Sequence, residues 1–105
     1  MRVKSFKLEA PEIKSGRQSW VTLGVVWLRL RRLRGRLAEH ADAPEYRATH
    51  QVRLRYSRLV KPGLRFRKEE RVLMIISVDD LGAHGKWLSC LCEERGDALA
   101  GQDET

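Results

Sequence analysis

Residues 51–57, QVRLRYS, decide the fold class. Val52, Leu54 and Tyr56 fall on one side of the stretch, Arg53 and Arg55 on the other. That period of two marks an antiparallel strand with one face toward a core and one toward water. Lys61-Pro62-Gly63 then breaks the chain, because Pro fixes one backbone angle and Gly permits a reversal. LRFR at 64–67 alternates again, Leu64 and Phe66 against Arg65 and Arg67. A polar turn at 68–70 leads into RVLMIISV at 71–78, a continuous apolar run rich in β-branched residues that reads as a strand buried on both faces. DDLGAHG at 79–85 reads as a hairpin loop with two glycines, and KWLSCLCEE at 86–94 as the last strand.

Upstream the pattern is weaker. Residues 2–8 and 19–28 are two further strand candidates, with 9–19 (EAPEIKSGRQS) as a loop because it holds Pro, Gly and Ser. In residues 28–43, Leu30, Leu33 and Leu37 stand at helical spacing among arginines, but Gly35 interrupts and Pro44 ends the pattern. The expectation is that the second strand runs past Trp27, turns near Gly35 and gives way to a short helix over 36–43. One continuous arginine-rich helix is the competing reading.

The fold class expected is therefore mainly β: a small antiparallel β-barrel or sandwich of about six strands, with one short helix and long loops. Residues 1–95 form a single domain, and 96–105 (GDALAGQDET) an acidic, flexible tail with little to pack. The core expected comprises Val52, Leu54, Tyr56, Leu64, Phe66, Val72, Met74, Ile76 and Val78, closed by Trp27 and Leu88.

The chain has 105 residues, enough for one small domain, which buries only about two-thirds of the surface its unfolded chain exposes. The longest apolar run, Trp20 to Leu28, is too short for a membrane helix, and the first residues show no secretory signal. Two cysteines, Cys90 and Cys92, do not make a disulfide scaffold and suit a reducing compartment. The net charge is +7. Its distribution is uneven: no acid occurs from residue 13 to 36 or from 47 to 68, and the sign reverses after the last strand with Glu93, Glu94, Asp97, Asp103 and Glu104. A basic body favours a polyanionic partner, and the acidic end favours contact between copies in an assembly.

The chemical candidates are thin. Cys90 and Cys92 point to one face of a strand, but His40, His50 and His84 have no spacing that completes a zinc site, so no metal and no cofactor is expected. No nucleophile elbow, phosphate-binding loop or metalloprotease motif occurs, and no catalytic residue is assigned. Asp79 and Asp80 read as turn formers. Trp20, Trp27 and Trp87 read as core or interface anchors, with a base-stacking platform as the sharper alternative. The run RLRRLRGR at 29–36 is the strongest electrostatic feature.

The order of these pieces resembles the head-closure, or head–tail joining (stopper), proteins of tailed phages, of which versions occur in gene transfer agents and prophages. Val26-Trp27, then a basic stretch and Gly35, is similar to the family's V-W … G pattern. Ala48-Thr49-His50 before Val52-Arg53-Leu54-Arg55-Tyr56 resembles its T-H-x-[VI]-x-[VIL]-R-Y strand. Lys61 to Phe66, the strand ending at Val78-Asp79, and Trp87 to Glu94 closing on Leu91-Cys92-Glu93-Glu94 resemble its later strands. The likeness spans residues 20–94. The family's V-T-I-Q strand before Trp20 is missing, with Val3, Phe6 and Leu8 as stand-ins, and the arginine run is unusually basic.

The resemblance implies a non-enzymatic virion or gene transfer agent protein, assembled in the bacterial cytoplasm. It implies a homo-oligomeric ring at the head–tail interface, between a portal-side adaptor and a tail terminator or tail tube. That ring completes the head, helps retain double-stranded DNA without reading its sequence, and offers the tail a docking surface, with no membrane involved. It also implies that the segment between the V-W and R-Y strands reaches toward the channel. That makes Arg31, Arg32, Arg34 and Arg36 the DNA-channel candidates. Arg53, Arg55, Arg65 and Arg67 form a second basic candidate surface, and Glu93, Glu94 and Asp97 are inter-subunit candidates. Two other readings compete: a small basic nucleic-acid-binding module with an arginine-rich helix, and a small basic ribonuclease.

Overall fold

The computed structural model describes residues 2–34 and 47–95. Six antiparallel strands close into a barrel: β1 (Val3–Lys14), β2 (Arg17–Arg32), β3 (His50–Arg55), β4 (Arg65–Lys68), β5 (Arg71–Asp80) and β6 (Trp87–Glu94). Around the barrel the order is β1-β2-β3-β6-β5-β4. The one described helix is a 3-10 turn, Leu81–Ala83. The short helix expected over 36–43 and the tail at 96–105 lie outside the described residues.

The loop expected at 9–19 is instead the tip of a long hairpin. Ser15 and Gly16 both take positive φ, 53° and 77°, the two-residue turn whose twist matches antiparallel strands. Lys14 then faces Arg17, and Pro11 faces Trp20. Counting from the turn, Pro11 falls on a non-hydrogen-bonded pair, where its missing N–H costs the hairpin nothing. The first half of the arginine run also resolves as strand: β2 continues through Arg32, paired with β3 from Leu28↔Leu54 to Arg32↔His50. That removes the continuous arginine-rich helix.

The core is Phe6, Leu8, Leu28, Val52, Leu54, Val60, Phe66, Leu73, Ile75, Leu88, Cys90 and Cys92. Val52, Leu54, Phe66 and Leu88 are where the alternation put them, and Leu64 and Val78 pack against the cluster. Three assignments are corrected. On β5, Leu73 and Ile75 point inward, and Val72, Met74 and Ile76 are only half-buried, so the strand has an outer face after all. A bulge between Ile75 and Ser77 makes Ile76 the extra residue and turns Val78 back inward. Tyr56 follows the end of β3 and is exposed. Trp27 is 65% exposed. With Leu28 and Leu30 facing the core side, the neighbours at odd positions, Trp27, Arg29 and Arg31, must face out.

Candidate functional site

The outer wall made by β2 and β3 gathers the arginines. Arg29 stands directly opposite Arg53, and Arg31 opposite Gln51. Gln51 accepts from Arg31 Nε at 3.1 Å and donates to Ser89 Oγ at 2.8 Å. Arg55 lies over the Trp87 ring, 5.3 Å from its centre. Among the described residues no carboxylate reaches salt-bridge distance of Arg29, Arg53 or Arg55. Like charges facing across a ladder destabilise a sheet by a few tenths of a kcal/mol or more.

Next to this wall is an aromatic groove of about 630 Å³, lined by Trp27, Tyr56, Leu81 and Trp87 with Val3 at its rim. All three aromatic rings are exposed. The groove continues onto a bare edge: from Arg17 to Trp27, β2 pairs only with β1, and no described strand covers its other side. Leu23, Val25 and Trp27 stand exposed along it, and it carries no charge from Gln18 to Leu28. An apolar edge of this length invites pairing or packing by another chain. The period-two signal that gives Arg29 an outward face would also have given it to Trp27.

The second basic candidate surface separates into two places. Arg53 and Arg55 belong to the groove wall. Arg65 and Arg67, on β4, clamp the buried Glu9 with Nε–oxygen distances of 2.7 and 3.1 Å. Arg65 also stacks over Trp20 at 4.0 Å. Glu9 is only 4% exposed. Burial alone would push its carboxyl upward, but the hydrogen bonds and charges of Arg65 and Arg67 outweigh it and hold the pKa below the ordinary value. This clamp, absent from the sequence reading, fixes the base of the long hairpin to β4.

A folded carboxyl held below its unfolded value contributes stability that is present above the unfolded pKa and lost as pH falls through the folded one. Glu9→Gln is therefore expected to cost about 1–3 kcal/mol at pH 7, since hydrogen bonds to charged groups are worth about that much. The gap between variant and wild type should begin to narrow below about pH 4, near the ordinary carboxyl value, and close as pH falls through the lower folded pKa. Urea melts of both proteins from pH 3 to 8 check this; a gap that stays constant with pH would assign the cost to packing.

At the opposite end of the barrel the T-H motif acquires a role. The Glu94 backbone N–H donates to Thr49 Oγ1 at 2.7 Å, and Thr49 Oγ1 lies 2.9 Å from His50 Nδ1. His50 Nε2 faces Glu94 Oε1 at 3.6 Å, and Arg71 grips Glu94 with two hydrogen bonds of 2.7 and 3.1 Å. The Arg71 hydrogen bonds lead in holding the Glu94 carboxyl below its ordinary pKa, while burial pushes the His50 ring down. Of the inter-subunit candidates, Glu94 is thus engaged within its own chain, Glu93 meets Arg95 at 3.1 Å, and Asp97 lies outside the described residues.

Of the channel candidates, Arg31 points outward on β2, Arg32 and Arg34 are exposed where the strand ends, and Arg36 lies outside the described residues. Both thiols are buried, and burial pushes Cys90 up to about 12 and Cys92 well above its ordinary value. No group of His, Cys, Asp and Glu among the described residues is placed to hold a metal ion.

Residues 2–95 match the family described as phage head completion protein. Among solved structures, the chain is similar to one in the virion of a native gene transfer agent (GTA) particle. The two are 20% identical with a TM-score of 0.62, over 90% of this chain and 96% of that one. At that identity the likeness establishes the barrel fold alone. No curated protein matches the sequence.

Proposed function

Because this chain belongs to the phage head completion protein family, we propose that copies of it form a ring between the portal-side adaptor and the tail of a phage or gene transfer agent particle. The ring completes the filled head, helps hold the DNA and presents the surface on which the tail docks. The observation that carries this reading is the family match across the whole barrel, residues 2–95. The surface is consistent with it. A small barrel with a bare apolar edge, an exposed aromatic groove and a facing arginine pair is built for contact with other chains. Its role is structural, and the chemistry it contributes is charge and shape.

Particles produced without this chain are expected to contain packaged heads and separate, complete tails. The heads should lose DNA to nuclease during purification, and supplying the chain in trans should restore joined particles. Normal joined particles in its absence would refute the ring position. Loss at the stage of empty shells would move its action ahead of packaging.

A further inference from the structure

The aromatic groove and its arginine wall have no occupant among the described residues, and the chain's own composition supplies a matching one. After Arg95 come ten residues, GDALAGQDET, with three acids, no Lys or Arg and one large apolar side chain, Leu99. We infer that this segment of one copy docks in the Trp27–Tyr56–Trp87 groove of a neighbouring copy. Leu99 packs among the rings, and Asp97 and the acids beyond it meet Arg29, Arg53 and Arg55. The inference rests on the ring reading only in requiring copies side by side, and it names which surfaces they use.

Charge complementarity is the first argument. Arg29 and Arg53 face each other with no carboxylate at salt-bridge distance among the described residues, and an acidic segment would relieve that repulsion while gaining partly desolvated ion pairs. Reach is the second, and it selects the neighbour over the segment's own barrel. β6 carries the chain from Trp87, at the groove, to Glu94, a span of roughly 23 Å at about 3.3 Å per residue. Leu99 lies five residues beyond Glu94 and reaches back at most about 17 Å fully extended. Its backbone falls short of the level of its own Trp87, where the three rings meet. The segment leaves one end of the barrel and the groove opens toward the other, so the contact joins unlike surfaces. Contacts of that kind close into rings when the rotation allows.

The test uses the full-length chain and two surface variants: Arg29→Glu with Arg53→Glu, which spoils the groove, and Asp97→Lys with Leu99→Ser, which spoils the segment. Thermal melts establish that each is folded; if the groove pair unfolds, Trp27→Ser replaces it. Sedimentation at low salt should show the wild type self-associating, and each variant at least tenfold weaker. Mixing the two variants should restore a species of two copies and nothing larger, because one intact segment then meets one intact groove. A synthetic peptide of residues 96–105 should shift the tryptophan emission of the segment variant and not of the groove variant.

Association that neither variant weakens would overturn the inference. So would a wild type that stays monomeric and shows no emission change with millimolar peptide. An emission difference between wild type and segment variant that is independent of protein concentration would assign the groove to the chain's own segment, also against the inference. Incorporation into particles separates this from the function itself. If only the docking is wrong, both variants enter particles as the wild type does; if the ring reading is wrong, no version occupies the head–tail junction.

Discussion

Phe66→Ala is expected to remove a large part of the barrel's stability, whereas Ile76→Ala is expected to be mild. Phe66 is fully buried, faces Leu8 on β1 and Leu73 on β5, and closes the barrel at its shortest strand. Truncating a buried Phe costs about 3–5 kcal/mol, through lost transfer energy and the cavity left behind. Small domains are stable by only about 5–15 kcal/mol, so roughly a fifth or more of the margin goes. At roughly 4–8 °C per kcal/mol, the midpoint should fall by more than about 12 °C. Ile76 is the extra residue of a bulge and is half-buried, so its truncation should cost about 1 kcal/mol. Thermal melts of the two purified variants decide the register of β5. Equal shifts would mean that Ile76, and not Ile75, points into the barrel.

That contrast also shows what the sequence could and could not reveal. β3 and β4 alternate apolar residues with arginines, so both their faces were readable. β5 is apolar at nearly every position, and a continuous run carries no parity; only the partner strand and the bulge decide which side chains enter the core. The hairpin tip was hidden for a different reason. Pro11, Ser15 and Gly16 are loop formers by composition, yet Ser15 and Gly16 make the tightest possible reversal and Pro11 sits where a strand tolerates it. Trp27 was misplaced because large aromatics are usually buried, although the outward arginines two and four residues later fixed its side. The Glu9 clamp joins residues 56 and 58 positions apart, a pairing that no local pattern encodes. The family's T-H motif was legible as a resemblance, and its physical purpose, tying β3 to the end of β6, needed coordinates.

The largest functional effect is expected at the DNA-channel candidates Arg32, Arg34 and Arg36, which the proposed ring would gather into a positive collar. β2 ends at Arg32, and the next residue, Leu33, is buried and donates its N–H to the Thr49 carbonyl at 2.9 Å. Thr49 in turn donates its N–H to the Cys92 carbonyl at 2.8 Å. The described backbone on either side of residues 35–46 is therefore tied across three strands, and Arg32 and Arg34 are exposed there. Arg31, further down β2, donates from Nε to Gln51 Oε1 at 3.1 Å. In a ring each arginine is repeated by the copy number, and a channel with low-dielectric walls concentrates the resulting field. Duplex DNA carries about one negative charge per 1.7 Å of axis, so phosphate contacts alone would hold its end without reading sequence. Replacing Arg32, Arg34 and Arg36 together by Gln should leave the melting midpoint of the isolated protein nearly unchanged, since exposed substitutions stay within about 0.5 kcal/mol. Particles built with that variant should assemble but lose DNA on standing, and the loss should accelerate as salt rises and the remaining phosphate contacts weaken. DNA retention equal to wild type across that salt range would remove the arginines from the channel and leave them a role in assembly alone.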